Sequence, residues 1–308
     1  MNHSPDAAQP TAQDPTEILR QLMEVSSLNE TRHDEEMFLG PVVPNAGKRV
    51  FGGQVLGQAL VAANQTVPNG RFVHSLHAYF LRGGDAHEPI EFGVEKLRDG
   101  RSFSARRVHA YQHGRTILSM MTSFQDWDEG LDHADPMPSG IPDPESLPTA
   151  AQLLTGIDHP AARYIAELRP FDIRHVEAPL YLPGAPSPAT ADNAVWMKTF
   201  TSFEGDEPLQ RAALAYASDF TLLEPILRRH GLTWANEGMS IASLDHAMWF
   251  HRPVRADEWL LYVQHSPSAS GARGLGIGRI YNRAGQLVAT ASQEGMVRVP
   301  QDVMEGAR

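Results

Sequence analysis

The sequence predicts an α+β protein in which one unit occurs twice: a curved antiparallel sheet wrapped round a central helix. Three observations carry this reading. First, two stretches are versions of one another at a constant offset of 170. HAYFLRGGDAHEPIEFGVEKLRDGRSF starts at His77 and AMWFHRPVRADEWLLYVQHSPSASGAR starts at Ala247, which sets Phe80 against Phe250, Arg82 against Arg252, Glu88 against Glu258 and Tyr111 against Tyr281. Second, each copy holds four strand-like runs separated by Gly, Asp or Pro signals. Third, each set of strands follows one strongly apolar helical segment.

The elements are expected as follows. Residues 1–14 (Pro, Gln, Ala and Asp without periodicity) read as a disordered tail. From Pro15 to about Leu28, apolar residues at helical spacing (Ile18, Leu19, Leu22, Met23, Val25) predict a short amphipathic helix. A strand follows over about 36–43. Gly52-Gly53 opens QVLGQALVAANQ, apolar on nearly every side and so expected to be buried. Gly57 would let that helix press closely on a sheet, and Pro68-Asn69-Gly70 ends it.

Strands are expected at about 71–83, 88–98, 103–113 and 115–126, with AspGly at 99–100 and HisGly at 113–114 as hairpin turns. Residues 127–193, rich in Pro, Asp and Ala with one helical stretch near 150–168, have no counterpart and read as the connection between halves. The second copy begins with a strand at 194–203. A long helix from Glu207 to His230 follows, kinked by Pro225 and closed by Arg228, Arg229, His230 and Gly231. Strands at about 240–253, 257–267, 272–283 and 286–298 complete it. The units are thus 15–126 and 194–300, with 301–308 a second tail. A strand, a central helix and four antiparallel strands, given twice, match a double hotdog, two such units forming an intramolecular pseudo-dimer.

At 308 residues, two domains of ordinary size are the prior. A hydrophobic fraction of 42% and a charged fraction of 20% are those of a soluble globular chain. A net charge of −11 argues against nucleic acid and anionic membranes as partners, which require basic stripes. No apolar run is long enough to span a bilayer. The polar N-terminus lacks the apolar core of a signal peptide, and the final EGAR carries no targeting motif. With no cysteine, disulfides, thiolate metal sites and a cysteine nucleophile are removed together. A cytoplasmic location fits.

The halves differ where chemistry is to be sought. Asp219 lies beside the apolar stripe of the second helix, between Tyr216 and Leu223, whereas residues 51–84 of the first half contain no Asp or Glu. A carboxylate there is costly unless several donors satisfy it. Ser243 stands where the first half has Val73, and Gln293 where it has Ser123. Each of the three also fits a solvated or rim position. Together they form a carboxylate, a hydroxyl and an amide able to hold a water and remove its proton.

Other patterns are weaker. His109 and His113 lie on a strand, about 13 Å apart at that spacing, too far to share a metal. His246, beside Asp245, is an alternative general base, and His74 and His77 read as strand residues with local partners. There is no HExxH and no GxSxG, and GLGIG at 274–278 lies within a strand pattern. Arg98, Arg101, Arg106 and Arg107 are candidates for phosphate contact or for the solvated face of a hairpin.

FGGQVLGQAL (51–60), VHSLHAYFLRGGD (73–85), LRDGRSFSARRV (97–108), YASD (216–219), SLDHAMWFHRP (243–253), SASGARG (268–274) and SQEG (292–295), in this order, resemble the acyl-CoA thioesterase II family, the double-hotdog thioesterases. The resemblance covers roughly residues 15–300 and is poorest over 127–193. It implies hydrolysis of a fatty acyl-CoA to fatty acid and CoA. The family's catalytic Asp, Thr or Ser, and Gln fall on Asp219, Ser243 and Gln293, with Ser in place of the commoner Thr. Backbone N–H groups at Gly52 and Gly53 are the expected oxyanion donors, because a helix start carries free N–H groups. No metal or other cofactor is implied, and a homo-oligomer is expected. The rival readings are a hotdog enoyl-CoA hydratase with an Asp–His pair and a non-catalytic acyl-CoA-binding protein.

Overall fold

The computed structural model describes residues 14–43, 48–182, 184, 189–301 and 303, so both expected tails fall almost wholly outside the described residues. In the first of them, only Asp14 is described. Its carboxylate accepts the Thr16 N–H at 2.9 Å and caps helix α1 (Pro15–Leu22). That helix ends earlier than expected, because Ser26–Arg32 forms an edge strand, β1, paired with β2 (Glu35–Gly40). SSLNETR is polar and exposed along most of its length, so no alternation betrayed it.

The first half continues with α2 (Gly52–Asn64), β3 (Phe72–Phe80), β4 (Ile90–Asp99), β5 (Phe103–Gln112) and β6 (Arg115–Gln125). The HisGly turn takes the left-handed backbone required of a tight hairpin, with φ of 51° at His113 and 69° at Gly114. The connection carries two short helices, α3 (Ala150–Leu153) and α4 (Pro160–Arg163), a π-helical turn at Tyr164–Leu168, and one strand, β7 (Phe171–His175).

The second half holds β8 (Asp192–Thr199), α5 (Glu207–Ser218), α6 (Glu224–Arg229), β9 (Ser240–Ser243), β10 (Asp245–Phe250), β11 (Leu260–Ser270), β12 (Arg273–Asn282) and β13 (Leu287–Arg298). The expected long helix is therefore two. Pro225 has no N–H to donate and its ring clashes with the preceding turn, so it sits in the first turn of α6 while α5 stops at Ser218.

All pairings are antiparallel, and the strands run β1-β2-β4-β5-β6-β3-β10-β13-β12-β11-β8-β7, with β9 beside β13. The order reads the same from either end if β3 is matched with β10, β6 with β13, β5 with β12 and β4 with β11. The halves meet where β3 pairs with β10, from Tyr79 opposite Asp245 to Ser75 opposite Trp249. This is the double hotdog: two curved antiparallel sheets joined edge to edge, each around its helix.

The two central helices press on each other rather than only on their sheets. A Cβ at Gly53 would lie 2.2 Å from the Tyr216 carbonyl oxygen, and one at Gly57 would lie 3.1 Å from that of Ala212. Gly57 thus serves a helix–helix approach, not the helix–sheet contact expected of it. One apolar cluster runs through both halves, from Leu56, Leu60 and Phe92 to Leu214, Tyr262 and Ala291.

Candidate active site

Asp219 is the first residue after α5, at the point where the helix stops. Its Oδ2 accepts the Gly53 N–H at 2.8 Å and its Oδ1 accepts a Gln293 amide N–H at 2.9 Å. The Ser243 hydroxyl joins the same group through the Gln293 amide. Helix α2 has no side-chain cap of its own, so a carboxylate from the other half satisfies one of its open first-turn donors. Burial pushes the Asp219 carboxyl up to about 6, against the lowering pull of Gln293, Gly53 and Ser243.

Gln293 is 1% exposed on β13, behind the other two. Its amide nitrogen donates to Asp219 and, at 2.5 Å, to the Ser243 hydroxyl oxygen. What aims that amide is His246, whose Nδ1 lies 2.8 Å from Gln293 Oε1 and whose Nε2 lies 2.9 Å from Ser218 Oγ. Burial pushes this imidazole down to about 4, so it is neutral at pH 7. With the amide nitrogen committed to two acceptors, the network assigns the proton to Nδ1, donating to Oε1.

The expected strand 240–253 breaks at Leu244, between β9 and β10. The Leu244 N–H donates to the Glu294 carbonyl at 2.8 Å, and its own carbonyl accepts the Phe80 N–H at 2.9 Å. The Asp245 carboxylate then accepts the Glu294 N–H at 2.8 Å in place of a ladder bond. The Asp-His pair after Ser243 is therefore structural on both counts: Asp245 holds the strand break and His246 holds Gln293. The pair was visible in the sequence, but its roles depend on burial, which the sequence did not display.

The structure brings Asp219, Ser243, Gln293 and Gly53 into one hydrogen-bonded group. Asp219, Ser243 and Gly52 line a pocket of about 520 Å³, walled by Phe51, Val55, Phe80, Phe220 and Leu223. Gly52 and Gly53 part company here. The Gly53 N–H is engaged by Asp219, so it is a support for the carboxylate and not a donor held open for a substrate. A Cβ at Gly52 would come within 2.6 Å of Asp219 Oδ2, so only glycine fits beside the carboxylate.

None of the four arginines singled out in the sequence lines this pocket. Arg106 is wholly buried and paired with Asp99, and Arg107 pairs with Glu95. Arg98 and Arg101 are exposed on the hairpin. The pocket mouth instead carries Arg49 and Arg82, both exposed, neither in an ion pair among the described residues. Trp234 also lines it, its indole N–H donating to buried Glu224 at 3.3 Å. His109 is held by Glu35 at 2.5 Å, His74 lies 2.8 Å from Ser123, and His77 packs edge-on to Trp249.

Two family models match the chain, "Acyl-CoA thioesterase N-terminal domain" over residues 40–125 and "Acyl-CoA thioesterase" over 174–296. Among similar curated proteins is acyl-CoA thioesterase 2 of Haemophilus influenzae, 38% identical over 92% of this chain and 99% of that protein. Human acyl-coenzyme A thioesterase 8 is 38% identical over 95% of this chain and 94% of its own length. Among solved structures, an acyl-CoA thioesterase II, TesB2, from Mycobacterium marinum is 41% identical, with a TM-score of 0.72 over 92% of this chain and 98% of that one. Fold and relatives together define a double-hotdog hydrolase of thioesters. The chain belongs to the acyl-CoA thioesterase II family.

Proposed function

We propose that the protein hydrolyses fatty acyl-CoA to a fatty acid and CoA by water that Asp219 activates from within the pocket. The observation that carries this reading is the convergence of two donors, the Gly53 N–H and the Gln293 amide, on one carboxylate at a pocket wall, with the Ser243 hydroxyl held by the same amide. A carboxylate accepts about four hydrogen bonds, which leaves room for a water. Gln293 fixes Asp219 and Ser243 from behind, so its role is to hold the base and its hydroxyl neighbour in register.

The water attacks the thioester carbonyl carbon and its proton passes to Asp219. The carbonyl π pair moves onto oxygen, which faces the Gly52 N–H at the start of α2. Collapse restores the carbonyl, breaks the carbon–sulfur bond and releases CoA thiolate, which takes the proton from Asp219. No covalent enzyme intermediate is needed. His246 is neutral and spent on Gln293, so the Asp–His pair of a hydratase is not at hand. Arg49 and Arg82 at the mouth are placed for the phosphates of CoA.

The test is release of free thiol from a long-chain acyl-CoA. Asp219→Asn is expected to lower kcat by about 10²–10⁴-fold and to keep its fold by circular dichroism, while Ser243→Thr retains activity and Ser243→Ala loses part of it. Near-wild-type turnover by Asp219→Asn removes the base. In the same assay Arg82→Ala should raise KM for the CoA ester but not for the matching acyl-pantetheine, which lacks the nucleotide phosphates. An equal rise for both substrates denies the arginine a phosphate contact.

A further inference from the structure

Three hollows share wall residues one after the next, from the pocket between the halves to the connecting segment. The first is the pocket of about 520 Å³ at Asp219. Phe51 belongs to its wall and also to the wall of a small internal void of about 40 Å³. That void is bounded by Ile18, Leu22, Tyr164 and Leu168, with Tyr216 behind. Leu168 in turn lines a cleft of about 770 Å³, formed by the α3–α4 segment and the π-helical turn. No residue lines both of the large hollows, so the void between Phe51 and Leu168 is the link.

We propose that these hollows form a segmented acyl channel, with Phe51 and Leu168 as the partitions that set the length of chain accepted. This rests on the proposed reading of Asp219 as the point where the thioester sits. With the CoA moiety at the mouth beside Arg49 and Arg82, the acyl chain runs inward along Val55, Phe80, Phe220 and Leu223 and meets Phe51.

The Phe51 ring packs against the apolar core, stacked on Phe220 at 4.6 Å and edge-on to Tyr216 at 5.2 Å. Such ring pairs are individually weak, and the ring lies over Gly53, where a Cβ would come within 2.5 Å of it. A void of about 40 Å³ holds little more than one water's share of liquid volume, ~30 Å³. A chain therefore enters it only when the ring moves, and ring space and void then join. The far wall is a π-helical turn, a local loosening of helix geometry that frequently marks functional positions.

The experiment is a kcat/KM series on saturated acyl-CoA esters from four to eighteen carbons. It compares wild type with Phe51→Ala and with Leu168→Trp, which fills the void without touching the catalytic pocket. Each additional methylene buried changes affinity by about fourfold. Phe51→Ala should raise the ratio of long-chain to short-chain kcat/KM by about tenfold or more, chiefly through KM. Leu168→Trp should lower that ratio and leave short-chain turnover unchanged. If both variants fold and keep the wild-type ratio, the channel is wrong. If Phe51→Ala does not fold, Leu168→Trp alone decides, by the same ratio. A shifted profile in an enzyme whose Asp219→Asn variant remains active would keep the channel and reject the activated water, so the two readings fail separately.

Discussion

Asp219 carries opposite consequences for turnover and for stability. Its carboxyl is pushed up to about 6 by burial, so the proton-accepting form disappears below that pH and kcat/KM should fall there with a single-proton slope. For stability the sign runs the other way. An acid with a higher pKa folded than unfolded binds its proton more tightly in the folded state. Its contribution is full below the unfolded value and is lost as pH rises through the folded one. A rise from 3.8 to about 6 corresponds to at most about 3 kcal/mol, less whatever pocket water restores. Denaturant unfolding at pH 4 and pH 7 should therefore show wild type losing up to about that much relative to Asp219→Asn. A difference independent of pH would deny the shift. Asp219, Ser243 and Gln293 were legible because the other half lacks them. The parts played by Gly53, Asp245 and His246 were not, because each depends on which hydrogen bond a buried group finds.

Among elements, the central helices were the most readable and their ends the least. An all-round apolar α2 has few places to go but a core. α5 stops at Ser218, seven residues before Pro225, which starts a separate helix, and that stop leaves Asp219 at a helix end rather than in mid-helix. β1 escaped notice because it is a polar edge, and β7 because its short run lies in the Pro-rich connection. The approach of α2 to α5 is the most constrained feature at this scale. Gly53→Ala sets a methyl 2.2 Å from the Tyr216 carbonyl oxygen, against backbone that cannot rotate aside. Overpacking of this kind costs about 1–3 kcal/mol or more. The variant should show a lower midpoint of urea unfolding and, since the same residue's N–H holds Asp219, a lower kcat. An unchanged midpoint would mean the helices part without cost.

Across the whole molecule, the offset of 170 held for β3, β4 and β5 against β10, β11 and β12, but β13 has slipped by one: Phe103 faces Gln125 and Arg273 faces Met296, so Gln293 corresponds to Thr122 and not to the expected Ser123. The offset does not hold for the helices. The link from α2 to β3 covers residues 65–71, whereas the link from α5 to β9 covers 219–239 and contains Asp219, α6 and Trp234. The half that carries the candidate site is thus distinguished by a longer span between helix and sheet as well as by three changed residues. Pockets were beyond reading, since their walls combine segments far apart in sequence, and an arginine's partner is likewise fixed only by the fold.

The pairing of β3 with β10 has a bearing on dilution. In a dimer of separate hotdog chains, a carboxylate from one and a helix start from the other meet only while the subunits remain associated, and specific activity falls as the protein is thinned out. Here Gly53 and Asp219 belong to one polypeptide, and the contact between them has a fixed effective concentration. Whatever assembly the chain enters, the two groups of its site stay together at any concentration in which the chain stays folded.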